Sequence, residues 1–169
     1  MNERICKYID VIYKQPILDT GRASNLLWIA IGDLLVVTNM AGEVKKSTYA
    51  LHVQSAWRMI DETNNKIIFA SSDMYEPNST MTWSEEFDWE VQGSNLFDEK
   101  AKKWLQTSEK IVVEKYEISA MGDLKVFFSN KSYLQIIVDF SNDAEAWRLF
   151  KCNSNEEHLV GRGEKIIFE

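Results

Sequence analysis

The chain has 169 residues, of which 45% are hydrophobic and 27% charged, with only 7 Gly and 2 Pro. Those proportions are ordinary for a soluble globular protein and fit one domain around one core. A formal charge of -7 repels phosphate backbones, so general nucleic-acid binding is disfavoured, while a basic protein partner or plain solubility suits the sign.

No stretch approaches the ~18 consecutive apolar residues of a membrane span, and the first seven residues lack the apolar run of a secretory signal. A cytoplasmic location without membrane contact is the expectation. Cys6 and Cys152 are the only cysteines and make no disulfide framework.

In chain order, Ile5, Tyr8, Ile9, Ile12 and Tyr13 keep helical spacing, and Pro16 closes that helix. Gly21 to Asn25 reads as a turn. Leu26–Ile31 and Leu34–Thr38 are apolar, β-branched runs. The intervening Gly32-Asp33 predicts either a two-residue hairpin turn or a bulge within one longer strand. Met40 to Ser47 reads as a polar loop. Tyr49–Val53, Trp57–Ile60 and Lys66–Ala70 then predict strands. Residues 71–86 are Ser-, Thr- and acid-rich and read as a loop joining two halves.

Phe87, Trp89 and Val91 alternate with polar residues, which predicts a strand with Asp88 and Glu90 on its wet face. Leu96 to Gln106 has helical periodicity, Ser94 or Asn95 as its cap, and acids before lysines along its length. Ile111–Ser119, Leu124–Ser129, Tyr133–Phe140 and Trp147–Lys151 predict further strands, with one helical turn at Ser141–Glu145. Glu157–Val160 and Ile166–Phe168 predict short closing strands.

Two phrases recur. Ile31-Gly32-Asp33-Leu34 returns as Met121-Gly122-Asp123-Leu124, and Ala56-Trp57-Arg58 returns as Ala146-Trp147-Arg148, both 90 positions on. Tyr49 and Tyr133 open similar apolar runs. Repetition at a fixed interval signals a duplicated unit. The expected fold class is α+β: two pseudo-repeated antiparallel meanders, packed together or merged into one curved sheet, with an N-terminal helix and a central helix. The halves span about residues 1–72 and 87–169 of a single domain.

Four sets of residues are candidates for function. Arg58 and Arg148 each follow a tryptophan, so on a strand each faces away from it, toward an anion or a cross-strand carboxylate. Trp83, Glu86, Asp88 and Trp89 belong to the densest run of acids and rings, which suits a basic partner better than a pair of catalytic carboxylates. His52 and His158 are the only histidines. They and the two cysteines form no ligand cluster by spacing, so neither a metal nor a cofactor is expected. Gly161-Arg162-Gly163 lacks the third glycine of a dinucleotide loop.

Gly21-Arg22-Ala23 with Leu27-Trp28-Ile29, Leu51-His52-Val53-Gln54-Ser55-Ala56-Trp57-Arg58, and Asp73-Met74-Tyr75 form part of a larger set. Phe87-Asp88-Trp89 with Asn95-Leu96-Phe97-Asp98-Glu99, and Trp147-Arg148-Leu149-Phe150 with Glu157-His158-Leu159-Val160, complete it. Together they resemble a family of uncharacterised bacterial proteins. That resemblance implies a bacterial, cytoplasmic protein and brings no activity, cofactor or catalytic residue. In size and acidity the chain is also similar in type to immunity proteins that neutralise bacterial toxins.

The absence of a catalytic motif favours a non-enzymatic module that binds a basic protein through Trp83 to Glu90. The alternative is a small-molecule-binding protein or enzyme with its site between the halves, built from His52, Arg58, Arg148 and His158. A homodimer formed through exposed strand edges is a third expectation.

Overall fold

The computed structural model describes residues 3–39, 42–84, 86–106, 110–163 and 165–169. Helix α1 (Glu3–Ile9) runs into a 3-10 turn over Asp10–Ile12 and buries Ile9 and Ile12. Strands β1 (Ile17–Ala23), β2 (Leu26–Asn39) and β3 (Gly42–Val53) follow as a meander. The chain then turns through Gln54 and Ser55 into β4 (Ala56–Asp61) and β5 (Lys66–Ala70).

Helix α2 (Leu96–Leu105) precedes a second meander of β6 (Val113–Ile118), β7 (Leu124–Phe128) and β8 (Ser132–Ile137). The last strands are β9 (Glu145–Lys151), β10 (Leu159–Arg162) and β11 (Ile166–Phe168).

Among the described residues the strands form two antiparallel sheets, ordered β1-β2-β3-β9-β10-β11 and β5-β4-β8-β7-β6. The first meander therefore lies in one sheet and is followed by two strands in the other, while the second lies in that other sheet and is followed by three strands in the first. Period-2 alternation explains which faces meet. Leu27, Ile29, Leu51, Val53, Trp147 and Leu149 of the first sheet share one core with Trp57, Met59, Leu124, Val126, Leu134 and Ile136 of the second. Each fully buried ring of this size is worth about 3–5 kcal/mol against alanine.

Two of the buried indoles hydrogen-bond their N–H groups, as burial of a polar tip favours. Trp147 Nε1 donates to Gly122 O at 2.8 Å, and Trp104 Nε1 to Ser132 Oγ at 3.0 Å. Trp147 also lies flat on Gly161, where any Cβ would meet its ring at 2.2 Å.

At one seam between the two sheets Pro16 bridges Val112. Ile17 N donates to Ile111 O at 2.8 Å, and Val113 N returns to Gln15 O at 2.9 Å. Gly32 N donates to Pro16 O at 2.8 Å and Ser129 N to Val112 O at 3.0 Å. Both β1 and β6 carry a register shift beside this seam, at Ile17/Asp19 and at Val113/Lys115.

Several expectations are corrected. Gly32 sits in a bulge, with a register shift between Ile31 and Leu34, so β2 is one bent strand and no hairpin turn forms there. Gly122 lies in the turn before β7. The matching phrases therefore occupy different surroundings, since Leu34 is 58% exposed and Leu124 only 1%. Residues 42–47 belong to β3, although their solvent contact on both faces makes them read as loop. Met40 and Ala41 lie outside the described residues.

Gly21 to Ala23 lie in β1, leaving only Ser24 and Asn25 as the turn. Phe87 to Val91 form turns and irregular backbone, because local side-chain hydrogen bonds replace a ladder there. Ser141 to Ala144 are not helical, and Glu145 opens β9.

Candidate functional site

Residues 71–95 contain six carboxylates and no lysine or arginine, close to the whole chain's charge of -7. Asp73 opens the segment in a 3-10 turn, accepting from Ala70 N at 3.2 Å and from Lys100 Nζ at 3.1 Å. The loop then closes on itself. Pro77 bridges Asn95, Asn78 N donates to Ser94 O at 2.9 Å, and Leu96 N donates to Glu76 O at 2.8 Å.

One buried arginine organises this base. Arg22 sits on the inward phase of β1, its side chain 1% exposed, and grips Asp98 of α2 with Nε–Oδ1 and Nη2–Oδ2 contacts of 3.0 Å each. Its Nη2 also donates to Val91 O at 3.0 Å. Gly93 N donates to Asp98 Oδ2 at 2.7 Å, which the left-handed backbone at Gly93, φ +85°, makes reachable. Asn95, fully buried, caps α2 by accepting from Asp98 N at 2.9 Å and donates from Nδ2 to Trp89 O at 3.1 Å. The guanidinium and the cap thus hold the loop from within.

Held this way, the loop turns rings outward. Trp83 is 66% exposed, packs edge-on against Phe87 at 5.3 Å, and donates from Nε1 to Glu76 Oε2 at 3.0 Å. Tyr75 and Trp89 form a second edge-on pair at 4.9 Å. Met81 and Val91 are exposed beside them. Asp88 Oδ1 accepts from Glu90 N at 2.9 Å. Among the described residues no ion pair reaches Glu86, Asp88 or Glu90. Glu85 lies outside the described residues. The geometry offers ring surface amid uncompensated negative charge.

The histidines meet elsewhere, on the outer face of the first sheet. His52 of β3 lies opposite Arg148 of β9, and Phe150 opposite Ala50. The Phe150 ring separates the two imidazoles, edge-on to His52 at 4.9 Å and stacked on His158 at 4.8 Å. Arg148 reaches Glu145 at 3.0 and 2.6 Å, Glu169 at 2.9 Å, and His158 Nδ1 at 2.9 Å. Arginine only donates, so Nδ1 accepts and the His158 proton sits on Nε2.

Burial lowers the pKa of both histidines, helped by the neighbouring Arg148 cation and opposed by the Glu145 carboxylate. The Arg148 hydrogen bonds in turn hold Glu145 below the usual carboxylate value. Beside His52 lies a concavity of about 460 Å³, with Ala30 and Ala50 as small floor residues and Trp28, Lys45 and Cys152 around them.

Three of the four polar groups expected together, His52, Arg148 and His158, do gather across the β3–β9 seam. Arg58 does not. It belongs to the other sheet and donates from Nε to Gln135 Oε1 at 2.9 Å, so its cross-strand partner is an amide and not a carboxylate. Arg148 finds its carboxylates at the start of its own strand and at Glu169. Arg22, Asp98, Glu145, Phe150 and Glu169 escaped sequence reasoning. The signal for Arg22 was its position two residues after Thr20 in a strand phase that also buries Thr20.

Among the described residues no group of three or more His, Cys, Asp or Glu is placed to hold a metal ion. No helix among them is long and apolar enough to cross a membrane. No family model, curated protein or solved structure matches the chain.

Proposed function

We propose that this is a non-enzymatic protein-binding module whose recognition surface is the closed acidic loop of residues 76–95, with Trp83 as its anchor. The observation that carries the reading is a large ring, 66% exposed, on a loop whose backbone is pinned by the buried Arg22–Asp98 pair. Ordering cost is met before binding, so little affinity is lost to it. Glu86, Asp88 and Glu90 steer a basic partner, and the indole enters an apolar hollow on it. The partner is therefore a basic protein face with a small apolar pocket.

The topology supports an internal duplication, which bears on where function sits. Matching the two sheets ladder by ladder sets α1 through β5 against α2 through β10. Trp57, opposite Ile136, then corresponds to Trp147, opposite Val53. The hydrogen bonds at the Pro16–Val112 seam exchange in pairs, as a two-fold relation demands. In this register Leu124 matches Leu27 and not Leu34. Parts common to both halves then serve as scaffold. Parts found in one half alone include the long β2–β3 ribbon, the 76–95 loop and β11, and loops on a rigid scaffold commonly carry recognition.

Peptides displayed on phage and selected against the protein at low salt test the reading. Selected sequences should be rich in Lys and Arg around one apolar residue, and should bind Trp83→Ala roughly 30-fold more weakly, the scale of a hot-spot ring. Binders indifferent to Trp83 and to salt overturn it.

A second reading has one observation in its favour: His52, which pairs with Arg148 across the β3–β9 ladder, also borders the concavity lined by β1, β2 and β3. A small molecule held there would contact His52 and Lys45. Saturation of Arg148 by Glu145, Glu169 and His158 leaves it little capacity for a ligand.

A further inference from the structure

The β2–β3 hairpin extends well beyond its neighbours in the first sheet. Strand β1 ends opposite Ile31 and β9 ends opposite Tyr49. From Leu34 to Asn39, β2 pairs only with residues 42–47 of β3. Both outer edges of this ribbon are therefore unpaired among the described residues. An isolated two-stranded ribbon is marginal in water, and three or more strands with an apolar face are needed for stability.

The ribbon is also apolar on both faces. Leu34 and Val36 are 58% and 60% exposed on one face, while Leu35 and Val44 are 38% and 36% exposed on the other. No core packing accounts for these side chains. Seventeen residues separate Ile31 from Tyr49, whereas three separate Phe128 from Ser132 at the corresponding β7–β8 turn.

The two edges differ in chemistry. The β3 edge carries Glu43, Lys45 and Lys46, and charged edge residues, lysine above all, deter strand addition. The β2 edge reads Leu34-Leu35-Val36-Val37-Thr38 and has no charge at all. We propose that the β2 edge is an interface for a second copy of this chain, the two ribbons joining antiparallel across a two-fold axis at Val36 into one four-stranded ribbon.

Charge selects this occupant. Residues 32–47 carry Asp33 and Glu43 against Lys45 and Lys46, so the ribbon is neutral on a body of charge -7. Two acidic bodies repel unless they meet through neutral surface. A basic partner is drawn to the 76–95 loop and gains nothing at this edge. Antiparallel pairing about Val36 sets Leu35 against Val37 and Leu34 against Thr38 of the second copy, with no like charges opposed. The interface is isologous, so it closes at two copies and leaves the charged β3 edges outermost.

Sedimentation velocity on the full chain, from about 1 to about 200 µM, tests this. The wild type should be a dimer at the upper end. Val36→Lys places two ammonium groups side by side on the axis and should weaken dimerisation roughly tenfold or more, because like charges directly opposite oppose pairing. Val44→Lys, on the outer strand, should dimerise like wild type. Near-ultraviolet circular dichroism confirms that the core is intact in each. If Val36→Lys does not fold, Thr38→Lys, already exposed and opposite Glu43, replaces it and should likewise weaken the dimer. A monomeric wild type overturns the proposal. So does a dimer that a folded β2-edge lysine variant leaves unchanged, or one that Val44→Lys disrupts equally.

Discussion

The acidic loop and the histidine face differ in where their order comes from. At the loop, a guanidinium 1% exposed and a buried asparagine tie the backbone from beneath, and among the described residues the outward carboxylates of Glu86, Asp88 and Glu90 have no ion pair. At the histidine face the outward side chains satisfy one another: Arg148 is shared by two carboxylates and an imidazole, and Phe150 lies between two rings. A surface whose groups are already matched has less to offer a partner than one held rigid from behind. That contrast supports the proposal of recognition at Trp83 and a structural role for Arg148.

The sharpest way to break the contrast is from beneath the loop. Asp98→Ala strands a buried guanidinium, and removing one partner of such a pair costs about 3–5 kcal/mol. Urea unfolding should show that loss, and amide exchange should show the 88–94 backbone opening first. If Asp98→Ala is as stable as wild type, the loop is not held from within.

Trp83→Ala separates stability from binding. Its unfolding free energy should stay within about 0.5 kcal/mol of wild type, as for exposed residues generally, while affinity for a selected peptide falls by about 2 kcal/mol. Arg148→Ala should do the reverse, costing about 1 kcal/mol after allowance for solvent screening and leaving peptide affinity unchanged.

The histidine face should also register in the pH dependence of stability. Folding lowers the pKa of His52 and His158, so their neutral forms are favoured in the folded state. The unfolded chain binds protons first. Stability from these groups is therefore whole above their usual value of 6.5 and is lost as pH falls through the lower folded values. The double substitution His52→Gln, His158→Gln should flatten that fall in urea titrations between about pH 7 and pH 5. Arg58→Ala removes one hydrogen bond to Gln135 and should cost about 0.5–1.5 kcal/mol.

Much of the scaffold was legible in residue pattern, and the reasons are local. Helix α2 was visible because its apolar period, its Asn95 cap and its order of charges agree. The strands that bury one face, such as β7 and β8, alternate cleanly. The ribbon was half hidden because residues 42–47 face water on both sides except at Ser47, so no alternation marks them as strand. Phe87 to Val91 misled for the opposite reason. Their alternation is real, but Asp88, Ser94 and Asn95 bind the local backbone and leave no ladder to join.

The acidic, ring-bearing surface was legible as composition. What holds it was not, because Arg22 lies in a stretch that reads as a turn and its partner is 76 residues away. The meeting of His52 with His158 was hidden similarly, since it depends on β3 pairing with β9 across most of the chain.

The most direct test of the recognition claim is calorimetric titration of one selected basic peptide into three proteins in parallel: wild type, Trp83→Ala and Arg148→Ala. Arg148→Ala should bind with wild-type affinity, Trp83→Ala roughly 30-fold more weakly, and the wild-type complex should weaken with added salt. Binding that survives Trp83→Ala and disappears with Arg148→Ala would contradict it and move recognition to the histidine face.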